Sequence, residues 1–150
     1  MADNALPTMP LRRKMFKKTH IVRMNDTDAA GILFFANQFS IVHEVYEDFM
    51  ESIGCGFAHL LDKMNFFVPI VRAEADYKKS VSVGERLQIK LVVEKVGETS
   101  FTMFYALIGK NRRRVGTVRT VHVSVSRSSK KKIPLPAHLK KILKKHVRVL

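Results

Sequence analysis

One cysteine, Cys55, stands among the 150 residues, so no disulfide can close within the chain, a usage compatible with a reducing compartment. No stretch approaches the roughly 20 apolar residues that a bilayer-spanning helix needs, and the opening residues Met1 to Pro7 hold no apolar core of the secretory-signal kind. A cytoplasmic location is therefore expected, without a membrane partner. Gly-x-Ser-x-Gly elbows and Gly-rich phosphate loops are missing, and His20, His59, His122, His138 and His146 lack metal-ligand spacing. Neither a metal nor an organic cofactor is expected. Acidic residues are scarce, 13 against 27 lysines and arginines, which leaves a formal charge of +14. Such a surplus draws anions, but it crowds into Leu11 to Lys18, Arg112 to Arg114 and the stretch from Arg127 to Lys145, where solvated flanks are the simplest reading. Aromatic residues are absent after Tyr105, so the basic tail offers nothing for bases to stack on, and nucleic acid is not an expected partner.

What is present is enough for one core: 46% of the residues are hydrophobic, whereas splitting the chain would leave two marginal halves. Residues 1–18 carry two prolines and an Arg-Arg-Lys run without periodicity and read as a flexible basic lead-in. The domain is expected over 19–127, with a basic tail over 128–150 in which Leu139, Ile142, Leu143 and Val147 space a short helix. His20 to Met24 suits a strand. From Asn37 onward Ile41, Val42, Val45, Tyr46, Phe49, Met50 and Ile53 recur at three- and four-residue spacing, with Glu44, Glu47, Asp48 and Glu51 opposite, which predicts an amphipathic helix capped by Asn37 and stopped by Gly54. Phe67 to Asp76, Arg86 to Lys95, Ser100 to Lys110 and Arg114 to Ser126 then read as strands. Four strands in succession imply an antiparallel sheet with the long helix on one face, an α+β domain.

Chemistry concentrates in Asp26-Thr27-Asp28-Ala29-Ala30-Gly31 and the residues that lead into the helix. Carboxylates on a turn ahead of a helix start sit where free backbone N–H groups and the positive end of the helix dipole converge, a setting that suits developing negative charge. A carboxylate there can attack a thioester carbonyl or activate water, with amides between Ile32 and Asn37 holding the oxyanion. Rival readings are weaker. As a calcium loop the run fails at its fifth position, Ala30, and its twelfth, Asn37. An aspartyl phosphatase would need a longer α/β chain and a hydroxyl residue soon after the second Asp. An arbitrary Asp pair most often only shapes its turn. Cys55, between Gly54 and Gly56 and near His59, has nothing that orders a triad and reads as a passive loop residue.

The wording of this segment tips the balance. Asp-Thr-Asp-Ala-Ala-Gly, followed by Phe34-Phe35-Ala36-Asn37 and His43-Glu44-Val45-Tyr46-Glu47, resembles the signature of the 4-hydroxybenzoyl-CoA thioesterase family of hotdog proteins, and within it the 1,4-dihydroxy-2-naphthoyl-CoA thioesterases. Phe67 to Val71 with Ala75-Asp76-Tyr77 is similar to the strand that follows the helix in those enzymes. The likeness covers residues 19–126, and its first third is motif-specific. It implies a hotdog fold, a curved antiparallel sheet wrapped around one long helix. It implies an acyl-CoA thioesterase with Asp28 as catalytic carboxylate, Asp26 as a turn residue or helper, Gly31 permitting the turn, and the Phe35 amide directed at the thioester oxygen. Asn37, His43 and Glu44 join them as candidates for the substrate or subunit contact, although as lone polar residues on a helix His43 and Glu44 read more simply as structural or solvent-facing. Partners implied are an acyl-CoA, aromatic by motif wording and dihydroxynaphthoyl first, with a short or medium aliphatic acyl-CoA or an acyl carrier protein as the alternative acyl donor, and further copies of the chain in a homodimer or homotetramer. Phe34, Phe35 and Gln38 depart from many relatives where the acyl pocket is shaped, so they put the acyl group in question. A rival of another class is a non-catalytic hotdog binding module whose tail binds anions.

Overall fold

A computed structural model describes residues 15–150, so most of the expected lead-in lies outside the described residues. Its last residues do not behave as a lead-in. Strand β1 runs Phe16–Ile21 and pairs antiparallel with β4 (Arg86–Val96), Phe16 opposite Leu91. The earlier start follows from Phe16, whose ring meets Phe49 edge-on at 5.4 Å. The strand expected over His20 to Met24 ends early because the Arg23 N–H donates to Asp26 Oδ2, at 2.8 Å, and closes a 3-10 turn over Met24–Asp26.

Helix α1, Asn37–Ser52, forms where the apolar spacing predicts it and buries the predicted stripe. Each of its large side chains, once removed from water, contributes roughly 2 kcal/mol. Its caps differ from expectation at one end only. Ala36 occupies the N-cap, and the Asn37 side chain turns back instead to donate to the carbonyls of Asp26, at 2.9 Å, and Asn25, at 3.4 Å. At the other end Gly54, at φ +78°, lets the Cys55 N–H reach Met50 O and the Gly54 N–H reach Glu51 O, the paired bonds of a Schellman stop.

A short helix α2, Phe57–Lys63, follows, which periodicity did not reveal because Leu60 is its one buried residue. The strand expected over Phe67 to Asp76 is divided at Pro69, which has no N–H to donate. Its first part, β2 (Phe66–Phe67), leaves to pair with β7 (Val125–Ser126), and its second, β3 (Ile70–Tyr77), joins the main sheet. With β5 (Ser100–Ile108) and β6 (Arg114–Val123) the five-stranded order is β1-β4-β5-β6-β3, antiparallel throughout, with β1 and β3 as its edges. Alternation is clean: Leu87, Ile89, Leu91 and Val93 of β4 and Phe101, Met103, Tyr105 and Leu107 of β5 enter the core with α1.

Helix α3, Ala137–Lys145, is the helix expected in the tail, yet the segment is packed rather than appended. Leu135, Leu139 and Leu143 are buried in the same core, Lys140 Nζ lies 2.6 Å from Glu98 Oε1, and the His146 ring meets Phe49 at 5.3 Å. The sequence signal for a tail was its lysines, which occupy only the outward side of the helix. Among the described residues no helix is long and apolar enough to cross a membrane.

Two buried polar groups tie α1 to the sheet. Gln38, 2% exposed, donates through Nε2 to the carbonyls of Thr117, at 3.2 Å, and Asp76, at 3.3 Å. It comes so close that a Cβ at position 116 would stand 2.8 Å from Gln38 Oε1, which explains Gly116. His122, wholly buried, meets Tyr46 of α1 with ring centroids 4.5 Å apart, stacks on Phe101 at 4.7 Å, and has its Nε2 2.8 Å from Thr120 Oγ1. Burial pushes this imidazole down to about 4, so it is a neutral structural residue at neutral pH.

Candidate active site

The turn that carries both aspartates is a small closed hairpin. The Asp28 N–H donates to Ile32 O and the Gly31 N–H to Asp28 O, Gly31 takes φ +72°, and Thr27 bridges Leu33. A side chain at Gly31 would meet no neighbour, so its requirement is the left-handed backbone alone. The turn is then fixed to the helix start: the Phe34 N–H donates to Asp26 O, and Asn37 Nδ2 donates to the same carbonyl.

Within this frame the two acids have unlike surroundings. Asp26 points inward, with Oδ2 accepting the Arg23 N–H and lying 2.8 Å from His20 Nε2. Burial alone would raise its pKa, but the Arg23 amide and His20 outweigh that and hold it below the usual carboxylate value. Asp28 is exposed; its Oδ1 accepts the Ala30 N–H at 2.8 Å and the Ile32 N–H at 3.4 Å. Among the described residues no protein donor reaches its Oδ2.

Asp28 opens onto a cleft of about 470 Å³, within the range of small-ligand sites. One wall is the lead-in to α1, with Leu33, Phe34, Phe35 and Gln38; the other is the end of β3 and the loop that follows it, with Tyr77, Lys78 and Lys79. Tyr77 donates its hydroxyl to Phe35 O at 2.8 Å, which fixes the backbone of this wall. The Phe34 and Phe35 rings meet edge-on at 4.7 Å, and Phe35 is 61% exposed, an apolar surface facing the cleft. Among the described residues the Phe35 N–H has no hydrogen-bond acceptor. The arrangement therefore offers a carboxylate with a free oxygen, an open backbone donor near a helix start, an apolar wall and a basic rim.

Of the residues singled out in the sequence, Asp28 and Phe35 line this cleft, while Gly31 and Asn37 shape its turn. His43 does not reach it. His43 is exposed, lies 3.2 Å from Glu47 Oε1, and lines a second, apolar cleft of about 420 Å³ between α1 and β3, with Phe39, Val42, Ile70, Ala73, Tyr105 and Thr120. Glu44 is exposed on α1 and lines neither cleft, because the hundred-degree advance per residue carries it past both. Tyr77, Lys78 and Lys79 were not foreseen; they are brought to Asp28 by the pairing of β3 with β6, and the only signal was an aromatic followed by two lysines. Cys55 is buried, and burial pushes its thiol up, as befits a passive residue. A larger cleft, about 820 Å³, lies elsewhere, on the outer face of β1 and β4, and Lys17, Arg86, Lys90, Lys110 and Arg112 are among its lining residues.

The sequence model of the thioesterase-like superfamily matches residues 22–143. The chain belongs to that superfamily. The match runs through Leu139 and Leu143, in keeping with a packed C-terminal segment. A 1,4-dihydroxy-2-naphthoyl-CoA hydrolase from Synechococcus elongatus is 35% identical over 120 residues, 79% of this chain and 88% of the relative. The crystal structure of a 1,4-dihydroxy-2-naphthoyl-CoA thioesterase from Synechocystis superposes with a TM-score of 0.81 at 24% identity, covering 87% of this chain and 96% of that one. A Staphylococcus aureus protein solved in complex with CoA superposes at 0.83 with 14% identity, covering 91% and 88%. These likenesses establish the hotdog arrangement for this thioesterase-like chain.

Proposed function

We propose that the protein is an acyl-CoA thioesterase of the 4-hydroxybenzoyl-CoA thioesterase type, acting on an aromatic acyl-CoA such as 1,4-dihydroxy-2-naphthoyl-CoA, with Asp28 as its catalytic carboxylate. One observation carries the assignment of the residue: of the two acids on the turn, Asp28 is the one that opens on the cleft with a carboxylate oxygen unengaged by the protein. The thioester carbonyl would lie between that oxygen and the Phe35 N–H. Either the carboxylate takes a proton from a water that attacks the carbonyl carbon, or it attacks that carbon itself and water then hydrolyses the resulting acyl anhydride; in both cases the oxyanion is held by the open amide near the helix start and the C–S bond breaks with the thiolate leaving without prior protonation. Phe34, Phe35 and Leu33 supply the apolar surface for an aromatic acyl group.

The same reading makes the active protein at least a dimer. Strand β3 is an edge of the sheet and exposes Ile70, Val71 and Tyr77, at 40%, 61% and 50%. Pairing with a second copy along this edge would cover those side chains and close both clefts that open beside it. An acyl carrier protein as donor is the alternative substrate, for which the basic rim is the supporting feature. The test is thiol release from a panel of aromatic and aliphatic acyl-CoAs. Turnover of aromatic thioesters by the wild type, lost in Asp28→Asn, supports the reading; no turnover of any thioester, or equal turnover by the variant, refutes it.

A further inference from the structure

Of the six histidines, His20 is the one that bonds to the aspartate turn, and the chemistry proposed for Asp28 does not use it. Strand β1 fixes its place: pairing sets His20 opposite Leu87 of β4, a wholly buried core residue. Its Nε2 lies 2.8 Å from Asp26 Oδ2, with the two side chains 22% and 15% exposed. The 3-10 turn over Met24–Asp26 folds the chain back and brings the two residues together. Asp26 is kept charged, so its carboxylate can only accept, and Nε2 carries the proton and donates.

Asp26 hands this restraint on through its main chain. Its carbonyl accepts the Phe34 N–H at 2.9 Å and Asn37 Nδ2 at 2.9 Å. On the far side of the next residue, the Phe35 carbonyl accepts the Tyr77 hydroxyl at 2.8 Å. The Phe35 N–H therefore lies between two pinned groups, Phe34 N and Phe35 O, while it has no acceptor of its own among the described residues. Asp28 follows Asp26 in the same closed hairpin, where Thr27 bridges Leu33. To shape the turn alone, the Arg23 N–H on Asp26 Oδ2 would serve. The imidazole adds a second tie, which runs from the turn to the sheet.

Resting on the thioesterase reading of Asp28, we propose that His20 is a positioning residue of the reaction, which acts through Asp26 to hold the Phe35 N–H and the Asp28 carboxylate in register for the thioester. His20 touches neither the substrate nor the reacting atoms. Its bond is made to a charged acceptor, the stronger class of hydrogen bond, and it ties the hairpin to β1. The placement of the amide matters most when the carbonyl oxygen gains charge and little when the substrate first binds, so loss of the tie is felt in kcat.

Wild type, His20→Phe and His20→Gln are assayed on one acyl-CoA that the wild type hydrolyses. Phenylalanine keeps a flat ring without a donor, and glutamine places an amide N–H where Nε2 stands. The expected result for His20→Phe is a fall of about tenfold in kcat with KM within about twofold, part of the roughly 100-fold that a whole oxyanion donor is worth. In His20→Gln kcat should recover to within about threefold of wild type, because the donor is restored. An unchanged kcat in His20→Phe, a loss expressed in KM, or a glutamine variant as slow as the phenylalanine one overturns the proposal. If the wild type hydrolyses no thioester, it is the Asp28 reading that has failed, and amide hydrogen exchange then decides the tie separately. Exchange of the Phe34 N–H about tenfold faster in His20→Phe, restored in His20→Gln and with the β5 amides unchanged, upholds it. Unchanged exchange at Phe34, or a loss of protection shared equally by β5, removes it.

Discussion

Asp26 and Asp28 stand two residues apart on one turn, and the fold treats them oppositely. Asp26 is drawn inward, engaged by a backbone amide and by His20, and kept charged. Asp28 is held by one oxygen and offered to a cleft by the other. A carboxylate drawn into the protein beside a histidine positions the chain; one that lies exposed on a cleft is available to a substrate.

The sharpest way to break this comparison is to neutralise each acid in turn. Asp28→Asn should lower kcat by 100-fold or more, the range of a lost general base, with a melting temperature little changed, since the asparagine Oδ1 can still accept from the Ala30 and Ile32 amides at this exposed site. Asp26→Asn should do the reverse. It loses hydrogen bonds to a charged acceptor, so urea unfolding should report a loss of about 2 kcal/mol, while activity falls far less than in Asp28→Asn. Equal effects of the two substitutions on rate would dissolve the distinction.

Acid sharpens the same contrast. The pKa of Asp26 is lowered on folding, so the folded state binds its proton less readily than the unfolded chain. Its contribution to stability is therefore present above the unfolded value of 3.8 and is lost as pH falls through the lower, folded value. Because asparagine cannot ionise, the stability gap between wild type and Asp26→Asn should be full near neutrality and close below pH 3.8. Melting curves from pH 7 to 3 measure it, and a gap that persists unchanged into acid would mean that the charge of Asp26 is not what anchors the turn.

Smaller effects probe the wall that faces Asp28. Tyr77→Phe removes the hydroxyl that holds Phe35 O, a neutral bond worth about 1 kcal/mol at a half-exposed site. With the backbone of the Phe35 wall loosened, kcat should fall several-fold with little change in KM. A variant that matches wild type in kcat would detach Phe35 from the oxyanion.

The sequence made α1, β4, β5 and β6 legible because each repeats its apolar residues at a single period over many residues. It missed α2, whose seven residues bury only Leu60, and it ran β2 and β3 together because the division at Pro69 depends on β7, far along the chain. The lysines of residues 128–150 disguised a packed helix, since charge on one face says nothing of Leu139 and Leu143 on the other. For the site, the Asp-x-Asp turn was readable as a local motif. Tyr77, Lys78 and Lys79 were not, because they reach Asp28 only through strand pairing. Gln38 reads in sequence as a polar departure on an apolar helix face; its reason is the pair of sheet carbonyls that it satisfies.

His43 supplies the smallest and most discriminating test, because its neighbours in sequence suggest a site residue and its surroundings do not. It is half exposed, its partner is Glu47 one turn on, and it lines the apolar cleft between α1 and β3 rather than the one that holds Asp28. Exposed helical pairs of this kind are worth a few tenths of a kcal/mol. His43→Ala should accordingly leave urea stability within 0.5 kcal/mol, about the limit for surface changes, and alter kcat/KM for an aromatic acyl-CoA by less than about twofold. A loss of tenfold or more would mean that the second cleft joins the first in the assembled enzyme, since within one chain His43 has no route to Asp28. In that case the acyl group spans two subunits, and the half-satisfied carboxylate acts on a substrate whose apolar end lies against the partner.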